Sequence, residues 1–267
     1  MFSRLGISLL SLVCLGAPGL LAGDMPDAEN AAGELWEAGQ EAMRHSQPKE
    51  AIALYKKSIA LDPKMTCNHL SIAAAYVEMN NLEAACPSLG RYLAANPKQL
   101  LIRARYAELL ARIRHLQEAK VEYERFISDA QENGGPAAQQ LIHCHTRLVE
   151  IAEEANDEYS EHLNRGIGLY LIARKRANLP ESNGELPCES LLCKAAAELT
   201  LAHQERPRQA KPNWYLYEVW TMLGQRHPAV CRLRQAHALE AFADLTPSES
   251  GSLTLAYADF LTEFRHR

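Results

Sequence analysis

One interval of 34 residues recurs through the first half of this chain and constrains its fold more than any other feature. A small residue recurs at this interval, at Ala51, Ala85 and Ala119. A larger residue follows each of them four positions later, at Tyr55, Leu89 and Tyr123. Residues four apart lie on one face of a helix. The pattern therefore predicts helices that approach a neighbour closely at each alanine, in units that bury their apolar faces only by stacking.

These residues resemble the tetratricopeptide repeat family, whose unit is a helix A, a turn and a helix B, with proline near its end. Residues 50–63, EAIALYKKSIALDP, give the closest match, and Pro63 and Pro97 stand one interval apart. The pairs Ala38-Gly39, Ile72-Ala73 and Tyr106-Ala107 share one register and are expected in the three A helices. The resemblance covers three consecutive repeats, at residues 32–65, 66–99 and 100–132.

The resemblance implies an all-α fold, a right-handed superhelical solenoid of antiparallel helix pairs with about twelve helices after the N-terminal leader. We expect three regular repeats within residues 24–132, irregular helical repeats with a loop insert in 133–187, and degenerate repeats with a capping helix in 188–267. In the irregular part, Ile167-Gly168 is expected to form another helix-A core pair before an insert at 178–187. Thr246 to Glu249 predict a capping box that opens the last helix. Pro87 predicts a kink or a late start in its helix.

Residues 1–23 have the pattern of a signal peptide. Arg4 precedes an apolar run over residues 5–15, and Leu21-Ala22-Gly23 offers small residues for cleavage. The run is short for a membrane span, which needs roughly 20 residues. We expect an exported protein, periplasmic or secreted, with no membrane insertion after cleavage; an uncleaved leader would instead anchor it.

The charge pattern argues against nucleic acid as a partner. The formal net charge is -5, and no long run of one sign occurs. Arg174-Lys175-Arg176 is expected to end a helix, where positive charge complements the helix dipole. So few cations would bind a phosphate backbone weakly.

Motifs that would indicate an enzyme or a resident cofactor are missing from the sequence. It has no nucleophile elbow, phosphate-binding glycine loop or zinc-protease motif. We therefore expect no enzymatic activity and no cofactor.

His143-Cys144-His145 is the one cluster with residue types that suit a metal ion. On a helix, however, positions 143 and 145 point about 200° apart, so one ion would need a third element. Six cysteines follow the leader, at Cys67, Cys86, Cys144, Cys188, Cys193 and Cys231. A metal- or thiol-dependent protein using these groups stays open as an alternative, although no metal site is expected.

The resemblance also implies a concave groove lined by the A helices, which is the predicted binding site for a partner protein or peptide. Its offsets correspond to Trp36, Gln40, Met43 and Arg44; to Cys67, Leu70, Ala74, Val77 and Glu78; to Leu101, Ala104, Glu108 and Arg112; and to Trp214, Glu218, Thr221 and Met222. Chaperone-binding members of the family share a clamp of lysine, asparagine and arginine for a carboxylate tail. This chain lacks the clamp, so no such tail is expected.

The leading functional hypothesis is therefore an interaction scaffold or adaptor of the cell envelope or secreted space. It would bind a peptide or helix of a partner in the groove. Trp36 and Trp214 could equally pack against their own neighbours. A self-stacking structural component that assembles through its terminal helices is a further alternative.

Overall fold

The computed structural model describes residues 27–132, 138–177, 188–240 and 244–265, and within these ranges it contains twelve α-helices and no strand. The helices are α1 Asp27–Arg44, α2 Pro48–Leu61, α3 Cys67–Glu78, α4 Leu82–Ala95, α5 Leu100–Arg112, α6 Leu116–Glu132, α7 Ala138–Ala155, α8 Glu158–Ala177, α9 Cys188–Glu205, α10 Lys211–Met222, α11 Arg226–Leu239 and α12 Pro247–Arg265. The all-α prediction is confirmed. The predicted signal segment 1–23 and the loop insert 178–187 lie outside the described residues.

The chain forms two compact units, Met1–Arg114 and His115–Arg267. In the first, α1 packs on α2, α3 on α2 and α4, and α5 on α4. In the second, α8 packs on α7 and α9, α10 on α9 and α11, and α12 on α11 and α6. The boundary falls inside the predicted repeat 100–132, because α5 belongs to the first unit and α6 to the second. None of the described helices is long and apolar enough to cross a membrane.

Small residues mark the places where helices lie closest together, as the repeat interval predicts. Ala51, Ala85 and Ala119 have no exposed surface. On α1, a β-carbon added to Gly39 would lie 2.4 Å from Cε1 of Tyr55, a ring that is itself fully buried. The Tyr55 ring of α2 therefore occupies the space that a larger residue at position 39 would need.

The turn that joins helix A to helix B repeats with the same backbone geometry. One residue with positive φ follows each of five helices, at Ser46, Asn80, Arg114, Asn156 and Gly224, with φ between 53° and 68°. In two of these turns, the N–H groups of Gln47 and Asn81 donate to the carbonyls of Ala42 and Tyr76, which closes the end of the preceding helix. The first three turn residues are spaced by 34, which gives backbone evidence for the repeat that is independent of side chains.

The helix carrying Pro87 differs from its prediction. α4 begins at Leu82 and runs through Pro87, so the late start is not found. The side chain of Asn81 accepts the N–H of Ala84 at 3.2 Å and thereby caps this helix.

The middle helices correct one expectation. The close approach between α8 and α9 lies at Gly166, where an added β-carbon would stand 2.7 Å from Cγ of Leu199. At Gly168, it would meet only Cβ of His145, at 3.8 Å. The prediction that Ile167-Gly168 forms a helix-A core pair was wrong, since α8 follows the Asn156 turn and therefore stands where a B helix stands in the regular repeats.

The start of α12 confirms the predicted capping box. Glu249 accepts the N–H of Thr246 at 2.8 Å, and the hydroxyl of Thr246 accepts the N–H of Glu249 at 3.2 Å. The buried Glu249 carboxylate also binds Nζ of Lys211 at 3.1 Å and accepts the hydroxyl of Tyr215 at 2.6 Å. Burial would raise the pKa of this carboxyl, but Lys211 and these hydrogen bonds hold it below its usual value. The network fixes α12 to α10.

Two alanine substitutions on α1 test the close approach at Gly39. Gly39→Ala should lower the free energy of unfolding by about 1–3 kcal/mol, because the new methyl overlaps a buried ring. Gly33→Ala on the same helix meets nothing within 4 Å and should raise stability by up to about 1 kcal/mol through helix propensity. Urea denaturation of both variants measures the difference, and equal effects would contradict the assigned contact.

Candidate functional site

The outer surface of α1 is tied to α3 by two polar side chains. The indole N–H of Trp36 donates to Oγ of Ser71 at 3.3 Å, and Nε2 of Gln40 donates to the same oxygen at 3.1 Å. Trp36 and Met43 are half-buried and pack against the core around Tyr55. Three predicted groove residues thus help to hold two A helices together and expose only part of their surface.

The charged groove residue of α1 lies in solvent. Arg44 is exposed and forms an ion pair with Glu41 on the same helix. His45 contacts the same carboxylate at 2.8 Å. An exposed pair of this kind adds little to stability, and it can rearrange when another molecule binds.

The outer face of α3 is apolar. Leu70, Ala74 and Val77 are half-exposed and lie one helical turn apart, and exposed Glu78 follows them. The rest of α3 is buried at Asn68, Ile72, Ala73 and Ala75. This helix therefore leaves an apolar stripe at the surface after its packing is complete.

The matching face of α5 continues the apolar character at one end and becomes charged at the other. Leu101 is 51 % exposed, and Ala104 and Glu108 are half-buried. Arg112 is exposed in the last turn. Within the first unit, α1, α3 and α5 thus place their groove residues at equivalent repeat positions, as the register predicts.

The four predicted groove residues of the second unit have different surroundings: Thr221 and Met222 are exposed at the end of α10, whereas Trp214 and Glu218 contact their own neighbours. Trp214 is 5 % exposed and lies in the core, where its ring centroid is 5.3 Å from that of Tyr217. Glu218 accepts the hydroxyl of Tyr170 at 2.7 Å. Trp214, the predicted aromatic anchor of the second unit, therefore has little surface to offer a partner, and the candidate site is assigned to the first unit, where all three A helices present groove residues.

The described residues also form a surface depression and a small cavity. An open depression of about 580 Å³ lies in the first unit between the turns at Asn80-Asn81 and Arg112 to Arg114. A cavity of about 110 Å³ in the second unit is lined by α6, α7 and α8, including Lys120 and Asp157. Small-molecule sites usually enclose about 300–1,000 Å³. The 110 Å³ cavity is too small for such a site. The 580 Å³ depression has the volume but is open to solvent and would not enclose a ligand.

The His-Cys-His cluster divides between core and solvent. Cys144 and His145 are buried, whereas His143 is exposed on the other side of α7. Nδ1 of His145 lies 2.8 Å from Oδ1 of Asn164, whose amide nitrogen donates to the carbonyl of Ser160. This network assigns the proton to Nδ1 of His145. Among the described residues, no group of three or more metal-binding side chains converges.

The cysteines show no shared environment. Cys86 and Cys144 are buried, Cys67 and Cys188 are partly exposed, and Cys193 and Cys231 lie at the surface of different helices. Burial of Cys86 and Cys144 is the ordinary behaviour of a small apolar side chain.

Sequence reasoning missed Ser71, which accepts both hydrogen bonds from α1. It lies beside Leu70 in a helix that is otherwise rich in alanine and other apolar residues. A small hydroxyl side chain among such residues was the available signal, but its partners lie more than 30 positions away in sequence.

One segment of the first unit is similar to a known protein family. Residues 42–113 match the family model described as tetratricopeptide repeat. No curated protein matches the chain.

Several solved structures are similar in fold. The first tetratricopeptide domain of Spaghetti (RPAP3), bound to the HSP90 peptide SRMEEVD, is 21 % identical over 48 % of this chain and 95 % of that one, with a TM-score of 0.38. The MamA protein is 15 % identical over 81 % and 97 %, with a TM-score of 0.41. PilW, a type IV pilus biogenesis factor, is 14 % identical over 86 % and 100 %, with a TM-score of 0.36. Likeness at this level says nothing about what this chain binds.

The buried imidazole gives a prediction for pH. Burial lowers the pKa of His145 to about 4, despite its hydrogen bond to Asn164. As pH falls below the unfolded value of about 6.5, the unfolded chain binds a proton that the folded chain does not, so stability declines until pH reaches about 4. Between pH 7 and pH 5, this loss should be about 2 kcal/mol.

Urea denaturation at the two pH values measures this loss. His145→Gln should remove the part of the difference that this imidazole causes, whereas His143→Gln, on the exposed side of α7, should keep it. An unchanged pH dependence in the first variant would show that other groups cause it.

Proposed function

We propose that this chain, whose residues 42–113 are tetratricopeptide repeats, is an interaction protein that holds a segment of a partner on the helix-A face of its first unit. The groove surface consists of the predicted groove residues of the three A helices α1, α3 and α5. They are Trp36, Gln40, Met43, Arg44, Leu70, Ala74, Val77, Glu78, Leu101, Ala104, Glu108 and Arg112. Binding rather than catalysis is proposed for it.

The apolar stripe on α3 is the observation on which the proposal rests. An outer face that only met water would gain nothing from Leu70 and Val77, yet these side chains stay half-exposed. Leu101 on α5 exposes 51 % of its surface at the same face of the repeat. Covering such side chains contributes about 25 cal/mol for each Å² of apolar area, which favours a partner segment with its own apolar residues.

The polar residues around the stripe indicate which segments fit. Glu78 and Arg112 are both exposed, so charges of each sign border the apolar centre. The positions at which chaperone-binding relatives clamp a carboxylate hold Trp36, Leu70 and Ala104 instead. We therefore propose an extended or helical segment that is anchored by apolar side chains, rather than an acidic chain terminus.

The proposed setting is outside the cytoplasm. Residues 1–23 have the composition of an export leader, with Arg4 before the apolar run. A partner would then belong to the cell envelope or to the secreted proteins.

A matched pair of leucine substitutions tests the groove surface. Leu101→Glu places a charge on the proposed surface, and Leu61→Glu places one on α2 at a leucine of similar exposure, 45 %. Peptides selected from a random phage-displayed library by the native chain should bind the Leu101→Glu chain at least about tenfold more weakly, since anchors at an interface centre dominate affinity. They should bind the Leu61→Glu chain normally.

The same comparison applies to partners captured from an envelope fraction. Helicity measured by circular dichroism should be the same for all three chains, because both leucines are exposed. Peptides that bind all three chains equally well would place the binding surface elsewhere, and the proposal would be wrong.

A further inference from the structure

The last turn of α3 carries a negative charge where the equivalent helices of the first unit carry a positive one. Arg44, Glu78 and Arg112 occupy one repeat position at intervals of 34 residues, and all three are exposed. Each lies in the last turn of its helix, where the helix dipole favours a cation. Arg44 and Arg112 complement the dipole, whereas the carboxylate of Glu78 opposes it. Glu78 is therefore electrostatically unfavourable for the helix that carries it.

The chain itself gives this carboxylate no compensating partner. Among the residues that the structure describes, no cation pairs with Glu78. Arg44, the cation at the equivalent position of α1, is paired with Glu41 instead. Glu78 is also the only acidic residue of α3, so it belongs to no charged surface of its own helix. Stability within the chain thus does not explain a carboxylate at this position.

The carboxylate stands at the end of the apolar stripe on α3. Leu70, Ala74 and Glu78 are four residues apart and lie along one line of the helix, with Val77 beside them. Neighbouring positions on such a line are about 5–6 Å apart between their β-carbons. When a bound segment packs an apolar side chain on Ala74 and Val77, a nearby basic residue of the same segment can therefore reach Glu78.

The charges around Glu78 restrict where that basic residue can lie. At the equivalent ends of α1 and α5 it would meet Arg44 or Arg112, and like charges across an interface are unfavourable. The open depression of the first unit begins two residues after Glu78, at Asn80. Its α4 side carries exposed Glu83, whereas Arg112 lies on its α5 side. Only the end of α3 thus attracts a long cationic side chain, which would fix the register of the segment across the three A helices.

We propose that Glu78 selects a lysine or arginine in the segment that binds the groove surface. In an extended segment, this basic residue would stand two positions from an apolar anchor, because alternate side chains share one side of a strand. In a helical segment, the separation would be three or four positions. The inference rests on the groove surface proposed above and adds the position that determines the charge of the partner.

Peptides selected by the native chain from the random phage-displayed library test the inference. They should be enriched in lysine or arginine at one of these separations from an apolar residue. Their affinity for the Glu78→Gln chain should be about two- to fivefold lower, which is the range for exposed ion pairs. Raising NaCl from about 50 mM to about 500 mM should weaken binding to the native chain more than binding to the variant, because salt screens exposed charges. Fluorescence anisotropy of labelled peptides measures both effects.

Two controls separate a charge contact from other effects. Glu50→Gln, at an exposed glutamate of α2, should leave the affinity and its salt dependence unchanged. Peptides whose basic residue is replaced by glutamate should bind the Glu78→Lys chain more tightly than they bind the native chain. The urea midpoint of the Glu78→Gln chain should not fall, because the native carboxylate opposes the helix dipole. A less stable fold would then not account for weaker binding.

The outcomes distinguish this inference from the groove surface itself. Peptides that bind the Leu101→Glu chain weakly, but bind the native and Glu78→Gln chains equally well, would overturn the role of Glu78 and leave the groove surface in place. Selected peptides without a basic residue would do the same. Peptides whose affinity is insensitive to Leu101→Glu would overturn the groove surface, and the role of Glu78 with it.

Discussion

The close approach of a small residue on one helix to a large residue on its neighbour is the contact on which this structure depends. Gly39 leaves room for the ring of Tyr55, and Gly166 leaves room for Leu199 in a different part of the chain. Both large side chains are fully buried. Because dense packing leaves no space for an added methyl, these contacts fix how each helix lies on the next. The contact at Gly39 thereby determines which face of α1 remains at the surface.

The regular part of the fold could be predicted from the sequence because its signal is periodic. The same close contact between helices recurs at Ala51, Ala85 and Ala119. The cap formed by Thr246 and Glu249 involves only neighbouring residues. Neither requires knowledge of distant contacts. The close approach at Gly166 could not be found in this way, since Leu199 lies on another helix outside the regular 34-residue register. The surroundings of Trp214 also depend on distant packing, although its register matches that of Trp36.

The two ends of the helical series differ in chemistry. α1 presents Glu34 and Glu41 where later helices present buried residues, which suits an end that remains in water. α12 presents Leu255 and neighbouring small residues instead. Repeat proteins need a polar outer face on a terminal helix to stay soluble, and the 69 % exposed side chain of Leu255 on α12 departs from that pattern.

Asp244 caps the start of α10, which lies one repeat interval earlier in the sequence. Its carboxylate accepts the N–H groups of Ala210 and Lys211, each at 3.0 Å, where α10 has no side-chain cap of its own. It also accepts the hydroxyl of Tyr159 at 3.0 Å. During synthesis, these two amides therefore bond to water until Asp244, some thirty residues later in the chain, has left the ribosome. The cap of α10 is thus supplied from the carboxyl-terminal side of the second unit, and a chain cut before Asp244 would lose this cap.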